Sequence, residues 1–163
     1  LGMANTTFVG QNLGAGKLDR VKKGVNIGIL IAMAGTLIIV VPLMCFSDTM
    51  LKLFNSDPEV LRYGRMFVLY MSPFYIPYCA TQIYSGALRG AGDSLSPMIV
   101  TIASFVVFRQ LYLLIGTQFI SSPLFVGLSY PAGWIVSTIT LFIIYRSGRW
   151  EKKLPAHVRM QAA

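Results

Sequence analysis

Acidic residues are scarce. Only 6 of the 163 residues are Asp or Glu, against 14 Lys or Arg, and charged residues of both signs make up 12% of the chain. So little charge cannot cover the water-facing surface of a soluble domain of this length, which excludes an ordinary soluble globule. Histidine occurs once, as His157, and cysteine twice, as Cys45 and Cys79, each cysteine inside an apolar run. A zinc site, a disulfide framework and Cys/His or Ser/His/Asp catalysis are excluded with them, so neither enzyme chemistry nor a metal nor a cofactor is expected. The start lacks both Met and a basic, then apolar, then small signal segment. Residues 1–10 read instead as the last turns of a helix that has been cut, so the chain is expected to be a piece of a longer protein. No repeat, low-complexity tract or long linker divides it, and 1–163 is read as one membrane domain.

What the chain has is apolar length. Hydrophobic residues make up 55% of it and the mean hydropathy is +0.63. Residues 25–46 carry no charge and, at a helical rise of about 1.5 Å, reach about 33 Å, enough to cross a bilayer core of about 30 Å. Similar runs predict further spans at about 64–88, 97–116 and 123–145, giving an all-α polytopic protein with about four transmembrane helices. The fourth is placed from Pro123, because starting at Pro131 leaves only about 22 Å of helix; Pro131 is then a kink.

Charge assigns the sides. Lys17, Arg20, Lys22, Lys23, Arg89, Arg146, Arg149, Lys152, Lys153 and Arg159 fall on one side, and only Lys52, Arg62 and Arg65 on the other, diluted by Asp48, Asp57 and Glu59. This asymmetry predicts a multi-pass protein of the cell membrane whose basic tail, 146–163, is cytoplasmic. Tyr145 and Trp150 fit as anchors at that boundary. Apolar spans keep the basic clusters apart, so a nucleic-acid partner is not expected; the partner is the lipid bilayer. Asp57-Pro58-Glu59 reads as a helix start on the outer side.

The run from Gly10 to Lys17 invites a phosphate-loop reading, which fails because Gln11 stands where a glycine is needed and Leu18 where Ser or Thr is needed. A glycine-shaped turn is the simpler reading. Gly24-x-x-x-Gly28 and Gly86-x-x-x-Gly90 permit close helix approach.

Three stretches carry a more specific signal. They are Val9-Gly10-Gln11-Asn12-Leu13-Gly14-Ala15-Gly16, then Ser85-Gly86-Ala87-Leu88-Arg89-Gly90-Ala91-Gly92-Asp93 with Pro97-Met98, and Arg146-Ser147-Gly148-Arg149-Trp150. In order and spacing they resemble the second half of the multidrug and toxic compound extrusion (MATE) transporters. The resemblance implies part of a twelve-helix, two-lobe antiporter that exports small organic cations by alternating access in exchange for H+ or Na+. The N-terminal lobe would be missing from this chain, which is expected to be inactive alone. The family-motif turns would be formed by Gly10, Gln11, Gly14, Gly16, Arg89, Gly90, Gly92 and Asp93.

In the second span Pro73 and Pro77 stand at mid-membrane, where each removes a backbone hydrogen bond; a kinked or broken helix facing the protein interior is predicted. Met71, Tyr75, Tyr78 and Gln82 fall at i, i+4, i+7 and i+11, one helical face. Such a stripe suits an organic cation, through tyrosine faces, an adaptable Met and one hydrogen-bonding amide, or it is helix packing around a buried amide. Arg109 is placed about 18 Å into its helix and needs a partner: an acid outside this chain, Gln82, Asn26 or backbone carbonyls. No carboxylate lies in any predicted span. One branch of the family is similar in carrying an acid where Tyr78 stands, so the coupling carboxylate is expected in the first lobe. Two alternatives remain: a related lipid-linked saccharide flippase, for which only Arg109 offers an intramembrane cation, and a stand-alone four-span subunit without transport.

Overall fold

Glycine and proline punctuate the chain, and the helices begin and end beside them. The computed structural model describes residues 1–120 and 122–152. Lys153, His157, Arg159 and with them most of the basic tail lie outside the described residues. Helix α1 (Gly2–Gly14) is followed by a turn in which Gly16 takes a φ of 69°. Then come α2 (Leu18–Cys45), the short α3 (Ser47–Lys52) and α4 (Pro58–Met71). Asp57 caps α4, accepting from Glu59 N at 2.8 Å and Val60 N at 3.3 Å, with Pro58 at the first helical position. A 3-10 turn, Ser72–Phe74, leads into α5 (Tyr75–Gly90). Next, α6 (Leu95–Ile102), a π-helical stretch, Ala103–Phe108, and α7 (Arg109–Gly116) run on as one rod. The last long helix is α8 (Pro123–Arg146), continuous through Pro131, followed by α9 (Arg149–Lys152). Among the described residues there is no strand, and the fold is that of an all-α membrane protein.

Among the described residues three helices are long and apolar enough to cross a membrane: Leu18–Cys45, Leu95–Gly116 and Pro123–Arg146. The stretch read from sequence as a span over 64–88 is two helices joined at the 3-10 turn, because Pro73 and Pro77 interrupt the regular ladder there. Helix α5 lies centrally, packed against α1, α2 and α8. Its residues from Ile83 to Leu88 are all buried, and they join Val9, Leu13, Val21, Val25 and Leu141 in the core. Glycine allows the α1–α5 contact. A Cβ on Gly90 would lie 2.5 Å from the Thr6 carbonyl oxygen, and one on Gly86 would collide with that of Gly2. Asn5 Nδ2 locks the pair by donating to Ile83 O at 2.8 Å. The outward faces stay apolar: Leu30, Ile38, Ile39, Leu114 and Ile143 are all exposed, as the faces of helices bathed in lipid are.

Trp150 is buried. It folds back at the end of α8 to 2% exposure, stacked on Tyr145 with centroids 5.4 Å apart. Its Nε1 donates to Tyr145 O at 2.9 Å. Gly148, with a φ of 65°, makes the reversal that brings it there.

Candidate functional site

The helix break builds an aromatic cluster. With α4 ended at Met71, α5 restarts at Tyr75 and carries Tyr75, Tyr78 and Gln82 toward α8 and α1. Trp134 of α8 meets both tyrosines, its ring centroid 5.1 Å from that of Tyr75 and 5.2 Å from that of Tyr78. Phe105, in the π-helical stretch, stands 6.4 Å from Tyr78. Gln82 Nε2 donates to the Tyr78 hydroxyl at 2.7 Å, and Gly2 packs against its backbone. Tyr75 remains 40% exposed. Behind the rings, Thr138 ties α5 to α8: its hydroxyl reaches the carbonyls of Pro77 and Trp134, each at 2.8 Å, and meets the Thr81 hydroxyl at 2.7 Å. One proton serves one carbonyl at a time, leaving the oxygen free to accept from Thr81.

The 3-10 turn separates Met71 from the other three. It winds by about 120° per residue instead of about 100°, so its three residues rotate Met71 by about 60° relative to α5. Met71 sits at the end of α4 against α8, its Sδ 3.6 Å from where a Cβ on Gly127 would be.

Arg109 finds its partners on α8. Its Nε donates to Ser129 Oγ at 3.3 Å, and its guanidinium carbon lies 3.7 Å from the Tyr130 ring centre. Ser129 in turn donates to Val126 O at 2.6 Å and is fully buried. Gln82 is therefore not its partner, being engaged with Tyr78, and Asn26 lies on α2, at another seam. The π-helical stretch ends directly before Arg109, and Gly133 admits it: a Cβ there would lie 3.0 Å from Ser104 O.

The motif residues fall in the last turns of α1 and α5 and in the turns that follow them. Gly10, Gln11 and Gly14, expected in a turn, continue α1, and the reversal falls at Gly16. Arg89 and Gly90 close α5. Gly92, with a φ of 84°, turns the chain, and Asp93, 4% exposed and just ahead of α6, accepts from Ser96 N at 3.4 Å and Ser96 Oγ at 2.7 Å. Helix ends extend further into glycine motifs than the sequence suggests because a glycine costs only about 1 kcal/mol inside a helix that packing otherwise holds.

The MatE family model matches residues 1–114, from α1 to the last turns of α7. The chain belongs to the MatE family. It is 24% identical over 154 residues to the probable multidrug resistance protein NorM of Thermotoga maritima, covering 94% of this chain and 33% of that protein. It is 29% identical over 156 residues to the probable multidrug resistance protein YoeA of Bacillus subtilis, again covering 94% of this chain and 33% of the relative. A protein of Shewanella oneidensis named FAD transporter is 26% identical over 100 residues, 61% of this chain and 22% of that protein. The chain thus spans about a third of the length of the first two relatives. Membership of MatE places it with membrane transporters and not with enzymes.

Sequence reasoning missed Trp134, Phe105, Ser129, Tyr130 and Thr138. Each lies on another helix from the residue it serves, and their one signal was the clustering of Trp134, Tyr130 and Pro131 in a single span.

Proposed function

We propose that the chain is part of a secondary antiporter that exports organic, mainly cationic, compounds in exchange for H+ or Na+ by alternating access. The observation that carries this reading is the cluster of Tyr75, Tyr78 and Trp134 beside the helix break of a MatE member. Electron-rich ring faces attract organic cations, and broken helices in transporters mark binding positions. The multidrug resistance names of the Thermotoga and Bacillus relatives support it. No carboxylate occupies the aromatic cluster, so the coupling acid belongs to the part of the transporter this chain does not include, and the 163 residues alone transport nothing. The basic ends of α2 and α8 face the cytoplasm in this reading, set by the positive-inside asymmetry.

The experiment is efflux of ethidium from proteoliposomes holding a full-length transporter that carries these residues, under separate proton and sodium gradients. Tyr78→Ala with Tyr75→Ala cuts efflux about tenfold or more, while Tyr78→Phe, which keeps the ring, retains most of it. Efflux by the double variant at the parent rate overturns the reading.

A further inference from the structure

Where α2 begins and α8 ends, the helices part around a cavity of about 270 Å³, lined among others by Lys22, Asn26, Tyr84, Tyr145, Arg146 and Glu151. The Tyr145 hydroxyl is buried and has no hydrogen-bond partner among the described residues. It cannot turn away to find one, because Trp150 stacks on its ring and Tyr84 holds it with centroids 5.3 Å apart. A buried donor left open is a place for an acceptor that arrives from outside.

The charge around that donor is positive. Lys22 and Glu151 pair at 2.9 Å and offset one another. Arg146 has no carboxylate partner among the described residues and rests over Phe142, its guanidinium carbon 6.0 Å from the ring centre. Among the described residues lining it, one net positive charge therefore borders the cavity. From Arg146 an apolar track runs along α8 through Phe142 and Ile139, at i−4 and i−7, both exposed. A ligand with one negative charge, several acceptor oxygens and an apolar tail matches all three features, and the cavity stands at the ends of two membrane-length helices, where headgroups lie.

We propose that this cavity binds the phosphodiester headgroup of an anionic phospholipid, with Arg146 and the Tyr145 hydroxyl on the phosphate oxygens and an acyl chain along Phe142 and Ile139. Free inorganic phosphate shares the oxygens but leaves the apolar track empty. The site requires only that α2 and α8 cross the membrane; it stands apart from the transport reading, and its test measures lipid and not efflux.

Native mass spectrometry of the full chain released from detergent, with phosphatidylglycerol, phosphatidylcholine or inorganic phosphate added, decides it. The chain retains phosphatidylglycerol over phosphatidylcholine by about fivefold, the factor one cation contributes at a membrane surface. Tyr145→Phe and Arg146→Gln each remove most of that preference, while Arg149→Gln, an exposed cation of the same end that does not line the cavity, keeps it. Equal retention of the two lipids, or an undiminished preference in both variants, overturns the proposal. Displacement of the lipid by millimolar inorganic phosphate overturns the lipid as the source of the phosphate. A photoactivatable phosphatidylglycerol on the unaltered chain gives a reading that no misfolded variant can spoil: label is expected in the peptide 139–151, and label only outside it overturns the proposal.

Discussion

The guanidinium of Arg109 and the ring of Tyr130 face each other at 3.7 Å across the seam between α7 and α8. With Ser129 taking Nε at 3.3 Å, two successive residues of α8 hold both a face and an edge of a charge set within a membrane-length helix. A cation at that depth is expensive, and a ring face is one of the few neighbours that lowers the cost without adding a second charge.

Tyr130→Leu removes the ring face and lowers stability by about 1–2 kcal/mol. Tyr130→Phe keeps the face and is neutral. Thermal unfolding in detergent micelles distinguishes them; equal loss in both variants means that the hydroxyl and not the ring supports Arg109.

The glycines of α5 predict a sharper contrast. Gly90→Val places a side chain where Thr6 O and Val9 already are, and costs about 1–3 kcal/mol or separates α1 from α5 altogether. Gly14→Ala, in the motif over residues 9–16 at the end of α1 and with nothing within 4 Å of the new Cβ, is neutral or stabilising by up to about 1 kcal/mol. Protease protection of α1 reads out the separation and thermal unfolding the stability.

Thr138→Val and Thr81→Val together test the tie behind the aromatic cluster. Each single change costs about 1 kcal/mol or less, and a double-mutant cycle gives a coupling of about 0.6 kcal/mol, typical of hydrogen bonds between membrane helices. Additive losses would show that the two hydroxyls act independently.

Trp150→Ala is the most damaging change, at about 3–5 kcal/mol, because the ring is buried, stacked and hydrogen-bonded. An interfacial anchor at the same position would lose far less. Denaturation in mixed micelles, followed by Trp134 fluorescence, separates the two.

Much of the helical layout was legible from residues that act locally. Apolar runs marked α2, α6–α7 and α8, Asp57-Pro58 marked the start of α4, and Pro73 and Pro77 marked the break after Met71. The rest depends on rotation of one helix against another, which no single run of sequence encodes. Arg109 was recognisable as a charge in need of a partner, but Ser129 and Tyr130 answer it only because α8 presents that edge. The offset of Met71 from the tyrosines was not legible because a regular α-helix was assumed across a turn that the prolines themselves deform. The burial of Trp150 was not legible because its fold-back depends on a left-handed glycine, Gly148, two positions earlier.

The 3-10 turn at Ser72–Phe74 also has a mechanical side. Beyond it α5 is gripped by α1, α2 and the Thr138 tie, whereas α4 has no fully buried residue along its 14 positions. A bend of about 10° at the prolines would carry the Pro58 end of this arm, about 21 Å long, through about 4 Å, and the contacts of α4 with α2, α3 and α8 are what oppose it.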